Sequence, residues 1–348
     1  MRVLYVTTRQ WNPGDEFILR GVRRILDEVA PDRPVEMIFN KSPQTTGLFE
    51  ARNFWIRERP GRLATSLDFA IRVAHYDNSL KRHHDLASYD AVIFAGSPGW
   101  FGSRLSTLYR RLIGYQGKVI FLGIGTPNRP VRLRQAEREV MRRSTVVCRD
   151  KPLTEELGGS GISARFLPCP ALLASPFEVA PAAGEAPIGL VFGSDSGVRY
   201  QRISPQAKAL QDRLFRSIVR EAPAEIVCHY SDELPQAIAE YPNVKVRYSF
   251  DAADYVSIFA RYSSVISTRV HGCGIASSLA VPNAAIVHDR RGETVRGFRS
   301  FQVGGESEAL EWVGKVASNA ESMRSELQSH KLQTLSSYVA MLTDVLGA

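Results

Sequence analysis

The stretch Ser264–Val287 reads SVISTRVHGCGIASSLAVPNAAIV, and this stretch decides the fold of the chain. An apolar run ends at Ser267, small residues follow His271, and a second apolar run begins after Pro282. The pattern predicts a strand, a tight turn, a helix and another strand. Arg269 and His271 would then lie at the carboxyl edge of a parallel sheet, where open α/β sheets bind ligands.

The residue types in this turn suit an anionic ligand. Arg269 supplies a cation and His271 a titratable imidazole, and Gly272 stands where the helix starts. A helix start also offers unpaired backbone N–H groups and a positive dipole end. The sequence therefore predicts a site for a phosphorylated or carboxylated ligand. The alternative for His271 is simple packing or capping at the start of the helix.

Length and composition indicate a globular protein of two domains. The chain has 348 residues, of which 44% are hydrophobic and 23% charged, an ordinary balance for folded domains. Its formal net charge of +8 favours anionic partners or serves solubility. The basic residues are scattered and no aromatic–basic motif recurs, so no nucleic-acid partner is expected.

The cysteines and the apolar runs give indications of the cellular compartment. The four cysteines are far apart, at Cys148, Cys169, Cys228 and Cys273. Their spacing indicates neither a zinc site nor a disulfide framework and fits a reducing compartment. No apolar run approaches the ~18 residues of a membrane-spanning helix, and the N-terminus is typical of a first strand rather than a signal segment. We expect a cytoplasmic protein without a metal site or transmembrane segment; peripheral membrane contact and oligomeric state stay open.

Short apolar runs alternate with amphipathic stretches along the chain, which predicts parallel sheets with helices on both faces. Strands are predicted at Val3–Val6, Val35–Phe39, Ala91–Ala95, Val119–Gly123, Val146–Cys148, Ile188–Phe192, Glu225–His229, Val244–Tyr248, Val265–Ser267 and Ala284–Val287. A linker rich in proline and alanine is predicted from Ala174 to Pro187. The predicted fold is α/β, with two Rossmann-like, doubly wound domains facing a cleft. They comprise residues 1–178 and residues 179–348, and a C-terminal helix begins near Glu306.

Three loops of the first half also follow predicted strands. They carry Gly14 with Asp15, Gly96 with Ser97, and Gly125. Glycine lets a ligand approach the backbone closely, although the G-x-G-x-x-G spacing of a dinucleotide site is missing. Asp15 is interpreted either as a functional carboxylate at the sheet edge or, like Asn12, as a helix cap.

Further candidates lie at other strand ends. His229 ends a predicted strand and would line the cleft. Arg290, in the run Asp289-Arg290-Arg291, belongs either to a solvated loop or to a second cationic grip on the ligand. Trp100 either stacks on a sugar ring or packs at a domain edge.

The order of these motifs resembles the polysaccharide pyruvyl transferase family, from about Val3 to Asp289. The motifs are Gly14-Asp15, the loop Gly96–Gly99, LGIGTP at Leu122–Pro127, VVCRDKPLTEELG at Val146–Gly158, and STRVHGCGIASSLAVPNAAIVHD at Ser267–Asp289. The resemblance implies a fold similar to two-domain glycosyltransferases of the B type. It also implies transfer of pyruvate from phosphoenolpyruvate, as co-substrate without a further cofactor, to hydroxyls of a sugar, glycan or lipid-linked glycan. The product is a ketal, in the biosynthesis of cell-envelope polysaccharide.

Roles carried over from the family are assigned by position. Arg269 and His271 match the family's arginine and histidine at the phosphoenolpyruvate site, and Gly14 and Asp15 match the loop that faces the acceptor. Arg149 belongs to a strand-end pair at the end of the first domain. A histidine whose pKa is near ~6.5 serves as acid or base. An arginine holds carboxylate or phosphate by paired hydrogen bonds, and Asp15 would take the acceptor's proton.

The chain also departs from the family pattern, mainly in the acceptor half. The family's run of three glycines is reduced to Gly96-Ser97-Pro98-Gly99, and Cys169 stands where an aspartate commonly lies between prolines. Two alternatives therefore stay open. One is a glycosyltransferase that uses a nucleotide-sugar donor on the same fold, for which Glu293 is the nearest candidate carboxylate for the ribose. The other is a homologue that binds a ligand without turning it over.

Overall fold

Two six-stranded sheets, parallel throughout, form the framework of the protein. The computed structural model describes residues 1–9, 12–32, 35–40, 85–97, 99–102, 105–127, 130–176, 186–195 and 203–347. Helices connect the strands within each half. The predicted two-domain α/β architecture is confirmed. The predicted boundary between residues 178 and 179 lies outside the described residues.

The first sheet has the strand order β2-β1-β3-β4-β5-β6. Its strands are β1 (Arg2–Thr7), β2 (Val35–Asn40), β3 (Ala91–Ser97), β4 (Lys118–Ile124), β5 (Thr145–Cys148) and β6 (Arg165–Phe166). The helices of this half are α1 (Pro13–Val29), α2 (Ser106–Ile113), α3 (Gln135–Arg142) and α4 (Lys151–Gly158). The strand order reverses between β1 and β3, and a crevice for a ligand forms beyond the carboxyl ends at such a point.

The second sheet has the order β12-β11-β10-β7-β8-β9 and reverses between β7 and β10. Its strands are β7 (Ile188–Val191), β8 (Ala224–Val227), β9 (Lys245–Arg247), β10 (Ser264–Ser267), β11 (Asn283–Ala285) and β12 (Phe301–Gln302). The helices are α5 (Pro205–Glu221), α6 (Leu234–Glu240), α7 (Asp254–Phe259), α8 (Val270–Ser278) and α9 (Glu306–Leu346). None of the helices described is long and apolar enough to cross a membrane.

Helix α1 begins where its sequence provides a cap. The side chain of Asn12 accepts a hydrogen bond from the backbone N–H of Gly14 at 3.0 Å, and Pro13 occupies the first helical position. The helix buries its apolar face, including Phe17, in a core cluster that also contains Tyr255 of the second half. The rings of Phe17 and Tyr255 meet edge to face at 5.8 Å between centroids. This shared core fixes the start of α1 against the second half.

Helix α9 returns to the first half of the chain. Its backbone breaks at Asn319, where φ is −129° and ψ is 19°. Beyond the break, the hydroxyl of Tyr338 donates to the carbonyl of Pro168 at 2.8 Å. The ammonium of Lys331 donates to the carbonyls of Ser175 at 3.0 Å and Ser278 at 2.7 Å. The helix therefore holds the end of α8 beside the first half.

Candidate functional site

A cavity of about 260 Å³ lies at the carboxyl ends of strands from both sheets. It is lined by residues from the start of α1 and from the segments after β5, β8, β10 and β11. Five of the residues predicted from sequence meet there: Asp15, Arg149, His229, Arg269 and His271. Strand-end reasoning therefore located this edge, because parallel strands bring their carboxyl ends together.

The guanidinium of Arg269 is held in place by a buried carboxylate. Arg269 stands directly before α8, and its Nη2 pairs with Glu233, whose side chain is only 1% exposed. Glu233 also accepts the backbone N–H groups of His229 at 2.8 Å and Tyr230 at 3.1 Å. Burial raises the pKa of Glu233, and the charge of Arg269 opposes that rise. Sequence reasoning missed Glu233, because it lies in a short 3₁₀ helix beyond β8 and carries no motif.

His271 is bonded to an arginine of the first half. The Nη1 of Arg149 lies 3.0 Å from the Nε2 of His271. A guanidinium only donates, so Nε2 accepts and the imidazole proton resides on Nδ1. Burial, followed by the charge of Arg149, lowers the pKa of His271 well below its ordinary value. The imidazole is therefore neutral at neutral pH.

Arg149 is a buried cation, and no carboxylate among the described residues forms an ion pair with it. Its side chain is 1% exposed, and its Nε has no hydrogen-bond partner within the described part of the chain. The neighbouring thiol of Cys169 does not neutralise it, because burial raises the pKa of Cys169. Gly125 leaves the room that the guanidinium occupies, since a Cβ there would lie 2.2 Å from Nε of Arg149.

Gly14 brings the two halves into direct contact at the site. A Cβ at this position would lie 2.2 Å from Nδ1 of His271, so no larger residue fits without a shift. The starts of α1 and α8 thus meet, and the positive end of each helix dipole faces the same region. Asp15 follows Gly14, is 6% exposed and lines the cavity. Asn12 caps α1, and its Nδ2 lies 3.5 Å from Oδ2 of Asp15.

His229 lines the cavity but is packed mainly among aromatic rings. It lies edge-on to Phe17 and Tyr255, at centroid distances of 6.3 and 5.3 Å, and beside Phe259. Burial, with the charge of Arg269, lowers the pKa of His229 to about 3. The imidazole is therefore neutral and contributes shape more than charge.

The two arginines after β11 have different surroundings in the structure. Arg291 lines the cavity, whereas Arg290 does not; the side chain of Arg290 is 46% exposed and lies 3.6 Å from Glu156. His288 lines the cavity as well. Sequence reasoning chose Arg290 and did not single out His288, although its place directly after the last predicted strand was a signal.

Four predicted glycines shape the site from outside the cavity lining, and Gly14 and Gly125 have been described. Gly96 has a φ of +62° and packs on Ile18, since a Cβ there would lie 2.5 Å from that side chain. Gly272 lies beneath Ser267, because a Cβ there would meet its Oγ at 2.4 Å. The side chain of Ser97 is outside the described residues.

The positions of Trp100 and Glu293 in the structure bear on two alternatives that the sequence left open. Trp100 is fully buried and donates its indole N–H to the carbonyl of Gly125 at 3.2 Å, so it packs in the core. Glu293 is not among the residues lining the cavity and pairs with Arg296 at 3.0 Å. Within the described ranges, no group of three or more His, Cys, Asp or Glu residues is placed to hold a metal ion.

Comparisons with known proteins agree with this architecture. A family model described as polysaccharide pyruvyl transferase matches residues 12–290. No curated protein matches the chain. Among solved structures, UDP-GlcNAc 2-epimerase from Neisseria meningitidis is 10% identical with a TM-score of 0.52, covering 96% of this chain and 99% of that one. The epimerase from Methanocaldococcus jannaschii is 11% identical with a TM-score of 0.53, covering 91% and 92%. At these identities the similarity shows the fold alone, which is the two-domain fold of B-type glycosyltransferases and epimerases.

Proposed function

The chain belongs to the polysaccharide pyruvyl transferase family, and from that premise we propose that it transfers pyruvate from phosphoenolpyruvate to a carbohydrate. The acceptor is a sugar, a glycan or a lipid-linked glycan precursor with two suitably placed hydroxyls. Phosphoenolpyruvate is the co-substrate, and the proposed chemistry calls for no further cofactor. A cytoplasmic setting is part of the proposal and accords with four buried, unpaired cysteines.

The observation that carries the proposal is the buried guanidinium of Arg149. Burying a charge without a counter-charge costs several kcal/mol, of the order of ~3–5 when one partner of a buried pair is absent. Arg149 meets only the neutral imidazole of His271 and the neutral thiol of Cys169 among its described partners. An anion in the adjacent cavity would supply the missing charge.

The size and charge of the cavity support a small donor that has two anionic groups. Its volume of about 260 Å³ is below the ~300–1,000 Å³ of typical ligand sites. Phosphoenolpyruvate carries a phosphate and a carboxylate, and the cavity offers Arg149 and Arg269 beside the start of α8. A nucleotide sugar is larger, and Glu293 does not line the cavity. The geometry therefore favours the donor of the pyruvyl transferases.

The proposed reaction runs in two additions at C2 of the donor. The first acceptor hydroxyl bonds to C2 while C3 gains a proton and becomes a methyl group. The second hydroxyl then bonds to C2 as the C2–O bond to phosphate breaks. Of the two protons that the hydroxyls lose, one is matched by the proton that C3 gains and the other leaves with the phosphate, so the products are the ketal and inorganic phosphate.

Two residues of the site are assigned to proton transfer. Asp15 lines the cavity and accepts the proton of the acceptor hydroxyl. His271 is neutral without a ligand, and the charge of a bound phosphate and carboxylate raises its pKa. In the complex, once Arg149 donates to the bound anion instead of to Nε2, His271 can carry the proton that C3 receives.

Calorimetric titration tests the donor assignment. We expect wild-type protein to bind phosphoenolpyruvate, and Arg269→Ala to bind it more weakly by ~2–3 kcal/mol, the scale of a charged hydrogen bond. Arg296→Ala is the matched control, because Arg296 is 65% exposed and pairs with Glu293 outside the cavity. Unchanged donor affinity in Arg269→Ala would remove Arg269 from the site. Binding of a nucleotide sugar but not of phosphoenolpyruvate would favour the glycosyltransferase alternative.

A further inference from the structure

Tyr230 lines the cavity just beyond the end of β8 and has no role in the reaction as described so far. It directly precedes the 3₁₀ helix Ser231–Glu233, and its own backbone is extended. Its N–H donates to Oε2 of Glu233 at 3.1 Å. The carboxylate that pairs with Arg269 therefore also fixes the backbone that carries the phenol.

The ring of Tyr230 lies against the guanidinium of Arg269. The guanidinium carbon is 4.9 Å from the ring centroid, within the range of a cation–π contact. Glu233 pairs with the same guanidinium, so Arg269 is held by a carboxylate and by an aromatic face. Because a cation–π contact uses the face of the ring, it leaves the hydroxyl available to bond in the plane of the ring.

The hydroxyl of Tyr230 makes no hydrogen bond to another residue within the part of the chain that the structure describes. Burial raises the pKa of the Tyr230 phenol, and the charge of Arg269 opposes that rise without cancelling it. The phenol therefore keeps its proton at neutral pH. In that state it donates a hydrogen bond and does not act as a base.

The phenol lies within the electrostatic reach of both walls of the cavity. The charge of Asp15, at the start of α1 in the first half, contributes to raising its pKa, and the charge of Arg291 contributes to lowering it. Arg291 belongs to the 3₁₀ helix Arg290–Phe298 of the second half, which Asp289 caps. Asp15 and Arg291 both line the cavity. The hydroxyl is therefore close to the acceptor-side carboxylate as well as to the guanidinium groups of the donor side.

We propose that Tyr230 is a further catalytic residue, whose hydroxyl donates a hydrogen bond to the oxygen that joins C2 of phosphoenolpyruvate to phosphorus. Of the phosphate oxygens it alone is bonded to C2, the atom that the acceptor hydroxyl attacks on the side of Asp15. This oxygen gains negative charge as its bond to C2 breaks, and a donor already in place stabilises that charge. The phenol keeps its own proton, so the proton that leaves with the phosphate still comes from an acceptor hydroxyl. The inference rests on the proposed function and adds the group that assists the departure of phosphate.

Two tyrosine-to-phenylalanine variants give a matched test of turnover. We expect Tyr230→Phe to lower kcat by about 10²-fold, the effect of losing one hydrogen-bond donor to developing charge, while the Kd for phosphoenolpyruvate changes little. Its melting temperature should stay nearly the same, because the hydroxyl bonds no described residue. Tyr241→Phe is the control: the hydroxyl of Tyr241 is buried and also lacks a partner among the described residues, but Tyr241 does not line the donor cavity. This variant should keep the kcat and the Kd of the wild type.

NMR of bound phosphoenolpyruvate gives a second readout that needs no acceptor. A hydrogen bond to an oxygen on phosphorus changes the shielding of the phosphorus nucleus. We therefore expect the phosphorus resonance of the bound donor to be displaced in Tyr230→Phe, and to stay at the wild-type position in Tyr241→Phe. The carbon resonance of the donor carboxylate should be the same in all three proteins. A displaced carboxylate resonance with an unchanged phosphorus resonance would show that the hydroxyl binds the carboxylate, which refutes the proposal.

The outcomes separate this inference from the proposed function. If wild-type protein does not bind phosphoenolpyruvate, the proposed function fails and the role of Tyr230 with it. If wild-type protein binds it and Tyr230→Phe keeps the wild-type phosphorus resonance or the wild-type kcat, Tyr230 is not catalytic while the donor assignment stands. A higher Kd with an unchanged kcat would limit the hydroxyl to binding and would also overturn the proposal.

Discussion

His229 shows how the site keeps its histidines neutral. Its ring is enclosed by Phe17, Tyr255 and Phe259, and burial is the main cause that lowers its pKa to about 3. In the unfolded chain the pKa returns to ~6.5. As the pH falls below ~6.5, the unfolded state takes up the proton first, so the free energy of unfolding decreases.

His229→Phe is expected to remove this acid sensitivity, because a phenyl ring fits the same aromatic surroundings and binds no proton. Between pH 7.5 and pH 5, wild-type protein should lose ~2 kcal/mol more of its unfolding free energy than the variant, since about 1.5 pKa units of uptake are involved. Urea unfolding at both pH values measures the difference. Equal losses in the two proteins would show that folding does not lower the pKa of His229.

Asn12 and Asp15 have different roles at the start of helix α1. Asn12 caps the helix, and Asp15 lies in the first turn facing the cavity. Asp15→Asn keeps the size of the side chain and forfeits a dipole contribution of ~0.3–1 kcal/mol. We therefore expect the melting temperature to change little, while turnover of phosphoenolpyruvate and acceptor falls by about 10²–10⁴-fold.

A matched variant distinguishes the two roles. Asn12→Ala should lower stability by ~1 kcal/mol through loss of the cap, and Asp15→Asn should not. Normal turnover in Asp15→Asn would exclude Asp15 as the base that takes the acceptor proton.

The elements themselves were largely predictable, because buried parallel strands are continuous apolar runs. All ten predicted strands overlap observed strands. The two strands that were missed, β6 and β12, have two residues each and carry no periodic pattern. Helix α8 begins at Val270, earlier than the start near Gly272 that the sequence indicated. Gly272 does not interrupt the helix, and its missing side chain leaves room for Ser267.

The position of the site was predictable from the sequence, whereas the partners of its individual side chains were less so. Strand ends located Asp15, Arg149 and His271, because topology alone brings those ends to one edge. The pairing of Arg269 with Glu233 depends on a short 3₁₀ helix. The choice between Arg290 and Arg291 depends on how Asp289 caps its helix. Neither feature has a periodicity that a sequence shows.

The two halves of the molecule are tied together around the cavity. Helix α1 packs against the 3₁₀ helix Pro170–Leu173 and against α8, and a Cβ on Gly21 would lie 1.7 Å from the carbonyl oxygen of Pro170. Helix α9 adds the contacts of Lys331 and Tyr338 to the first half. Residues of both halves therefore hold Arg149 and His271 at bonding distance, and the pocket is complete only when the whole chain is folded.

On the proposed function, the pocket between the two halves takes phosphoenolpyruvate and passes the pyruvyl group to a carbohydrate. Mass spectrometry of a panel of sugars and glycan precursors, incubated with the wild-type protein and phosphoenolpyruvate, tests it most directly. We predict that at least one acceptor gains the mass of pyruvate less one water, with an equal amount of inorganic phosphate released. Phosphoenolpyruvate left unconsumed across the panel, while a nucleotide sugar is used in its place, would contradict the account.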